Sequence, residues 1–461
     1  MSRGYLASND RIAALATAPG AAAIAVVRIA GPGCIEELAS LFSKPDRLRQ
    51  AASHQAIYGR LLRPDRRPVD EVLALVFRAP GGYTGQDSVD ILCHGGTAVT
   101  QAVLNLLLDN GFQRALPGEF TFRAFMNGKM DLARAEAVDE LVKAETDVAR
   151  ANALTRLSGA LSRRISALHG QLVHLAAACA LHLDYGEDES PDDFSAEAAL
   201  LHDVRDQCRQ IADSYSVGRL LKEGARVIIA GRTNAGKSSL FNCLLKEERA
   251  IVSDRHGTTR DYVEAALDLG GFPVQLIDTA GLRESEDAVE SEGIRRSRLL
   301  LDAADLVLYV VDAVEGLDAA DDAFLTGFTG KLLPVWNKLD HPKALPAPAD
   351  LPSPAGIRWL LFSALQGSGE AELVQAIQAA LLSGQQSVPA ESAITSERQR
   401  NALLRAASAL DEAADLLKRD LCLDMLAVDI NTALAALGEI SGETSSEDIL
   451  DAMFSSFCVG K

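Results

Sequence analysis

The chain has 461 residues, 48% of them apolar, and a mean hydropathy of +0.06, enough to bury the cores of roughly two to four folded domains. Its 45 basic and 64 acidic side chains leave −19 at neutral pH, a field that repels phosphate and excludes non-specific docking on nucleic acid or an anionic membrane. Any nucleic acid must then be gripped by a local patch. Seven cysteines, Cys34, Cys93, Cys179, Cys208, Cys243, Cys422 and Cys458, form no C-x-x-C pair and read as reduced thiols of a cytoplasmic protein, not a disulfide framework or structural zinc site. His169, His174 and His182 lie five and eight residues apart, make no i, i+4 metal clamp, and read as ordinary helix residues.

In chain order, the apolar stretch Ile12 to Gly31 is broken at Pro19-Gly20 and carries Arg28 inside "AIAVVRIAG", which excludes a membrane span or signal core and predicts a short buried strand. Residues 1–128 hold further strand-like runs at Glu71 to Phe77 and Ser88 to His94, with Gly/Pro turns and one helix, "TAVTQAVLNLLLDNG", stopped at Gly111. This part reads as a small α+β domain. From Asp131 the pattern turns helical: Leu154, Leu157, Leu161, Ile165, Leu168, Leu172 and Leu175 form the apolar stripe of one long helix, ended by the acidic break "DYGEDESPDD". Residues 129–223 are the first helical part.

Residues 224–383 alternate hydrophobic runs ("RVIIAG", "VQLIDTAG", "LVLYVVDA", "KLLPVWNKLD", "WLLFSA") with helical stretches, the rhythm of a parallel sheet covered on both faces, with a Pro/Ala linker near 342–354. Helix returns over 384–461, with Leu403, Leu410, Leu417, Leu421 and Met425 as a second stripe. Packing the two stripes together makes the α/β unit an insertion in a discontinuous all-α domain.

The chemistry lies in that insertion. Gly231-Arg-Thr-Asn-Ala-Gly-Lys-Ser238 matches G-x-x-x-x-G-K-[ST] between a strand and a helix: backbone amides wrap a phosphate, Lys237 reaches the β and γ phosphates, and Ser238 offers its hydroxyl to Mg²⁺. Asp278-Thr279-Ala280-Gly281 ends a strand, with a carboxylate for the metal's water shell and a glycine amide for the γ-phosphate. Asn337-Lys338-Leu339-Asp340 follows another, and the Asp340 carboxylate suits guanine's donor pair, which adenine lacks. Ser363-Ala364 fits the loop that closes on the base, while Trp336 reads as strand packing. In "GTTRD", Thr259 is placed to complete the Mg²⁺ shell. Leu282 stands where Ras-type GTPases carry a water-orienting glutamine, so that role falls to the acidic stretch, with Glu284, Glu286, Asp287, Glu290 and Glu292 all open.

With these motifs placed, the whole chain resembles the tRNA modification GTPase family MnmE (TrmE), through "ALATAPGAAAIAVVRIAG", "YTGQD", "CHGG", "PGEFTFRAFMNGKMDLARAEAV", "NAGKSSLFN", "GTTRD", "DTAGLR" and the terminal "FCVGK". The resemblance implies a multidomain protein: a folate-binding amino-terminal α+β domain, a split helical domain, and an inserted Ras-like P-loop GTPase domain. It implies a homodimer that acts with an FAD-containing MnmG-like protein, as a heterotetramer, to place an aminomethyl or carboxymethylaminomethyl group on C5 of the tRNA wobble uridine. The carbon comes from 5-formyl- or methylene-tetrahydrofolate. No membrane is involved.

By the same resemblance GTP is held by Asn234, Ala235, Gly236, Lys237, Ser238, Ser239, Ser253, Thr258, Thr259, Asp278, Thr279, Ala280, Gly281, Asn337, Lys338, Asp340, Ser363 and Ala364, and Mg²⁺ by Ser238 and Thr259. A K⁺ ion is caged by Asn234, Ser253, Arg255 and Thr258, Ser253 standing for the commoner threonine. The water-positioning glutamate falls on Glu290, with Arg260 and Arg283 nearby in the family. Folate contacts fall on Arg28, Asp90, Lys129 and Lys461, with Asp90 in place of the family's glutamate. Without the family, Arg28 reads as a strand-edge salt bridge. The tail Cys458-Val459-Gly460-Lys461 alone reads as a frayed end; beside the folate positions it reads as a strap returned to the first domain, of this chain or of a second subunit. The role of the Cys458 thiol stays open. The rival reading is a GTP-switched RNA-binding or ribosome-assembly factor with no modification chemistry.

Overall fold

The computed structural model describes residue 5 and residues 10–185, 195–245, 263–278, 300–348, 358–382, 393–418, 423–444 and 446–461. They fall into two units, one of Met1–Val142, Arg156–Val204 and Ser408–Lys461, the other of Lys143–Thr155 and Arg205–Ala407.

The first unit begins with β1 (Ile12–Leu15), β2 (Ile24–Ala30), α1 (Cys34–Ser40), α2 (Pro45–Gln50), β3 (Gln55–Leu62), β4 (Pro68–Phe77), β5 (Ser88–His94), α3 (Thr97–Asp109), β6 (Gln113–Arg114), α4 (Glu119–Met126) and α5 (Leu132–Lys143). The strands form one sheet in the order β3-β4-β5-β2-β1-β6, antiparallel except for the β1–β6 pair. Period-two alternation sets its faces. Ala25, Val27 and Ile29 of β2 and Val89, Ile91 and Cys93 of β5 point into a core closed by α1 and α3. Arg28 and Asp90 share the other face and are direct cross-strand partners. On that face Phe120 of α4 packs on Ile12, Ala14 and Ala30.

The helical stripe expected to be a single helix is two: α6 (Asp147–Leu157) and α7 (Ala160–Tyr185). Gly159 breaks it at φ 86, a left-handed residue that ends a helix at little steric cost, and its amide bonds the Arg156 carbonyl at 2.9 Å. Beyond the break Leu161, Ile165, Leu168, Leu172 and Leu175 are buried as the stripe requires, whereas Leu154 is exposed.

The chain continues through α8 (Ser195–Asp213), α9 (Tyr215–Glu223), β7 (Ala225–Gly231), α10 (Lys237–Leu244), β8 (Val263–Leu269), β9 (Phe272–Asp278), β10 (Leu306–Asp312), α11 (Ala319–Gly327), β11 (Leu332–Asn337), β12 (Leu360–Leu361), α12 (Glu370–Leu382), α13 (Glu397–Lys418), α14 (Leu423–Ser441) and α15 (Glu447–Ser455). The second unit's sheet runs β12-β11-β10-β7-β9-β8, parallel except for the β8–β9 hairpin. Every residue of β10 is buried, which is why the run is apolar up to its last residue, Asp312. The hairpin turns at Gly270-Gly271, both at positive φ (66 and 94), as a two-residue turn demands.

Helical segments outside 224–383 belong to this second unit. Thr146 Oγ1 donates to the Gly271 carbonyl at 2.8 Å, and the Ile394 amide donates to Ser214 Oγ at 3.1 Å. In the first unit, α7 and α14 pack together, so the two helical arms meet. Of the second stripe, Leu403 and Leu410 are buried, Met425 is exposed, and Leu421 lies outside the described residues.

Candidate functional site

In the second unit β7 delivers the phosphate loop. A Cβ on Gly231 (φ 136) would lie 2.2 Å from the Val310 carbonyl, so the strand exit beside β10 admits only glycine. Asn234 is left-handed at φ 60, and Gly236 (φ 94) starts α10, leaving Lys237 as its first residue. The Lys237 ammonium is buried and donates across the loop to the Arg232 carbonyl at 2.7 Å. Ser238 Oγ donates to Asp278 Oδ2 at 2.7 Å, so the loop hydroxyl and the carboxylate ending β9 sit at one point.

Asn337 ties the loops together. Its Nδ2 donates to the Ala235 carbonyl at 3.0 Å and its Oδ1 accepts from the Ala364 amide at 3.1 Å. Lys338, left-handed at φ 68, donates to Asp312 Oδ2 at 2.6 Å. Buried Ser363 donates its hydroxyl to Asp340 Oδ1, fixing the carboxylate's orientation. These residues border a cleft of about 730 Å³ lined by Gly236, Ser239, Lys338, Asp340, Ala364 and Leu365 among others. Trp336 is buried away from it, edge-on to Trp359 at 4.9 Å and bonded through Nε1 to the Leu345 carbonyl at 2.9 Å.

Sequence reasoning missed three parts of this site. Asp312 anchors Lys338; its signal was a carboxylate at the carboxyl end of an apolar strand. Arg232 joins the loop to the start of α11, donating to Glu315 at 2.7 Å and Asp321 at 3.4 Å, while buried Asp321 also accepts from Tyr309 Oη at 2.8 Å. Burial, then the Asp321 bond, raises the Tyr309 pKa and keeps that phenol protonated. Cys243 reaches the cleft from α10, a position that no local pattern marks.

In the first unit the tail meets the sheet. Arg28 grips Asp90 with two parallel bonds, Nε to Oδ1 at 2.8 Å and Nη2 to Oδ2 at 2.9 Å, and Nη1 donates to the Gly460 carbonyl at 3.4 Å. The guanidinium carbon lies 5.8 Å from the Phe120 ring centre and 5.9 Å from that of Tyr83. The Asp90 bond, opposed by burial, raises the Arg28 pKa, whereas burial and then the Arg28 charge lower that of Lys461. Lys461 therefore faces a second cation, Arg28, and both oxygens of Asp90 already accept from that guanidinium.

The tail is fastened to its own chain. Val459 bridges Pro117, the Gly118 amide donates to the Cys458 carbonyl at 3.2 Å, and Phe454 and Phe457 pack with Tyr5, Phe122 and Leu132. The frayed-end expectation is thus corrected: aromatic anchors hold the last turn down. Cys458 itself is exposed. The Lys129 ammonium donates to the Pro80 carbonyl at 2.9 Å, on the loop that carries Tyr83. Ser253, Arg255, Thr258, Thr259, Arg260, Thr279, Ala280, Gly281, Arg283 and Glu290 lie outside the described residues.

Two family models match, one described as "GTP-binding protein TrmE N-terminus" over residues 11–129 and one as "MnmE helical domain" over residues 132–458. The chain is 40% identical over 472 residues to the tRNA modification GTPase MnmE of Treponema denticola, covering 100% of both chains. It is 43% identical over 465 residues to that of Moorella thermoacetica, covering 98% of this chain and 100% of the relative. The chain belongs to the MnmE family of tRNA modification GTPases.

Among solved structures, Aquifex aeolicus Era bound to GDP and aluminium fluoride is 27% identical over 42% of this chain and 67% of its own, with a TM-score of 0.27. The G domain of the Thermotoga maritima FeoB transporter is 29% identical over 34% and 98%, with a TM-score of 0.26. As an MnmE-family GTPase the chain takes GTP as substrate, on a P-loop scaffold joined to an α+β domain and a helical domain. No helix among the described residues is long and apolar enough to cross a membrane.

Proposed function

We propose that this GTPase is stimulated by K⁺, works in the cytoplasm as a homodimer with an FAD-containing MnmG-like protein, and modifies C5 of the tRNA wobble uridine with a carbon from tetrahydrofolate. The observation that carries this reading is the ion pair of Arg28 with Asp90 beside Gly460 and Lys461. A GTP switch needs only the nucleotide cleft; the tail site is what a modification enzyme adds. Lys461 is a half-buried ammonium near a guanidinium, an arrangement that favours an incoming carboxylate, and folate carries carboxylates. Arg28 and Lys461 would hold the ligand's acids, the partly exposed Tyr83 would line its ring, and Asp90 would set the guanidinium's orientation. Bound tetrahydrofolate supplies the one-carbon unit. Lys129 would act from the Pro80 side of the same loop.

At the cleft, Lys237 and the loop amides take the β and γ phosphates, Asp340 takes guanine, and Ser363 and Ala364 close on the base. The Ser238 hydroxyl and Asp278 carboxylate are hard oxygen donors at one point, as Mg²⁺ requires, with Thr259 completing the shell. Asn234 presents the K⁺ ligand, with Ser253, Arg255 and Thr258 supplied by the resemblance alone. Glu290 orients the attacking water.

The test is titration of the full chain with 5-formyltetrahydrofolate, with and without residues 458–461, beside GTPase rates in KCl and in NaCl. The reading expects binding that the truncation abolishes without lowering GTP hydrolysis, and a faster rate in KCl. No folate binding by the intact chain would remove the folate step, and equal rates would remove K⁺.

A further inference from the structure

The first unit carries a basic surface that neither site uses. Lys44, Arg47 and Arg49 introduce and line α2, and Arg60, Arg63, Arg66 and Arg67 line β3 and its turn into β4. Between residues 44 and 67 only Asp46 and Asp65 oppose them, on a chain of net charge −19. All seven basic residues are exposed.

Backbone bonds set the two groups side by side. Phe42 bridges Leu61, the Ser43 amide donates to the Arg60 carbonyl at 2.9 Å, Ser43 Oγ accepts from the Arg60 amide at 2.9 Å, and the Leu62 amide donates to the Leu41 carbonyl at 2.8 Å. Arg78 adds a cation behind α2, donating to the Ala51 carbonyl at 2.8 Å and to that of Arg49. Lys44 lies 5.1 Å over the exposed Tyr58 ring, so an aromatic face stands among the cations.

Neutralisation is incomplete. Asp46 takes Arg49 at 3.2 Å, Glu71 takes Arg60 at 2.9 Å and Asp65 takes Arg67 at 3.5 Å. Among the described residues no ion pair engages Lys44, Arg47, Arg63 or Arg66. Arg66 moreover holds φ 68, a left-handed turn position that favours glycine or asparagine. An arginine in a left-handed turn position, with no ion pair, at the tip of a hairpin is expensive as structure and useful as a hydrogen-bond donor to phosphate.

We propose that α2 and the β3–β4 turn hold the phosphate backbone of the RNA that this enzyme modifies. The inference rests on the reading that the substrate is tRNA. It also answers the electrostatic problem set by the composition: an acidic chain approaches RNA through one local surface of opposite sign, with a planar guanidinium fork for each phosphate.

The test measures binding of unfractionated tRNA to the full chain across KCl concentrations, for wild type and for Arg47→Ala/Arg63→Ala/Arg66→Asn. Asparagine tolerates the turn geometry, so the variant's melting temperature should be no lower than wild type's. The expected result is affinity weakened roughly tenfold or more near 0.1 M salt, and a log–log salt slope shallower by about two. Unchanged affinity and slope, or no tRNA binding by wild type, would overturn the proposal. So would a variant that keeps tRNA but loses an acidic protein partner or anionic phospholipid vesicles. Nucleoside mass spectrometry separates the two failures. Normal wobble uridines in cells lacking the chain refute the tRNA reading itself; uridines lost there, but fully restored by a variant that binds tRNA like wild type, refute only the surface.

Discussion

Gly460→Ala is the sharpest perturbation of the tail site. Gly460 sits at φ 92, and a Cβ there would lie 2.5 Å from the Leu15 carbonyl oxygen and 2.8 Å from Ala16 Cα. Both neighbours are backbone and cannot rotate aside. The left-handed conformation costs alanine about 1–2 kcal/mol and the overlap about 1–3 more, so about 3 kcal/mol falls on the docked strap. Phe454 and Phe457 lie upstream and keep their packing, so the loss is local, confined to the last residues. If docking is needed for folate, affinity should fall by a factor of roughly 100, while carboxypeptidase should release Lys461 faster than from wild type. The melting temperature should stay close to that of wild type. A Gly460→Ala protein that binds 5-formyltetrahydrofolate normally and resists carboxypeptidase would refute the strap as part of the site.

Two further outcomes follow from the geometry and a third from the family resemblance. Lys461 has its pKa lowered below the usual 10.5 by burial and then by Arg28, so the free protein's docked strap binds fewer protons than the undocked one. Docking should tighten as pH rises from the depressed value toward 10.5, read as slower carboxypeptidase release, and a flat profile would contradict the half-buried placement beside Arg28. Asn337→Ala removes the bonds to Ala235 and Ala364 at once and leaves the buried Ala235 carbonyl and the partly buried Ala364 amide without that partner. GTP affinity should drop by about tenfold or more in a fluorescent-nucleotide titration, and an unchanged constant would mean the two loops are held by other contacts. Glu290→Ala should leave nucleotide affinity nearly intact and greatly slow hydrolysis in single-turnover assays, whereas a normal rate returns the water-orienting role to a neighbouring acid.

The nucleotide cleft was the most legible part of the sequence, because each of its loops is a short contiguous motif at the end of an apolar strand. What joins those loops was not: Asn337 reaching Ala235 and Lys338 reaching Asp312 depend on which strands are neighbours, a tertiary fact. The break at Gly159 shows the limit of periodicity, since leucines keep their spacing across a residue whose backbone ends the helix. β6 is two residues long and carries no pattern of its own. Arg28 was legible both as a salt bridge and as a ligand contact; the register of β2 on β5 supplies Asp90 as its partner, and no local rule announces that pairing. The tail was hardest, because its order comes from Phe454 and Phe457 and from the close approach of Gly460 to Leu15, none of which a four-residue motif encodes.

The central claim is that this GTPase serves wobble-uridine modification. Mass spectrometry of tRNA nucleosides from cells lacking the protein, with and without the gene restored, tests it most directly. The account predicts that the C5-modified wobble uridines disappear and return with the restored chain; an unchanged set of wobble uridines would contradict it.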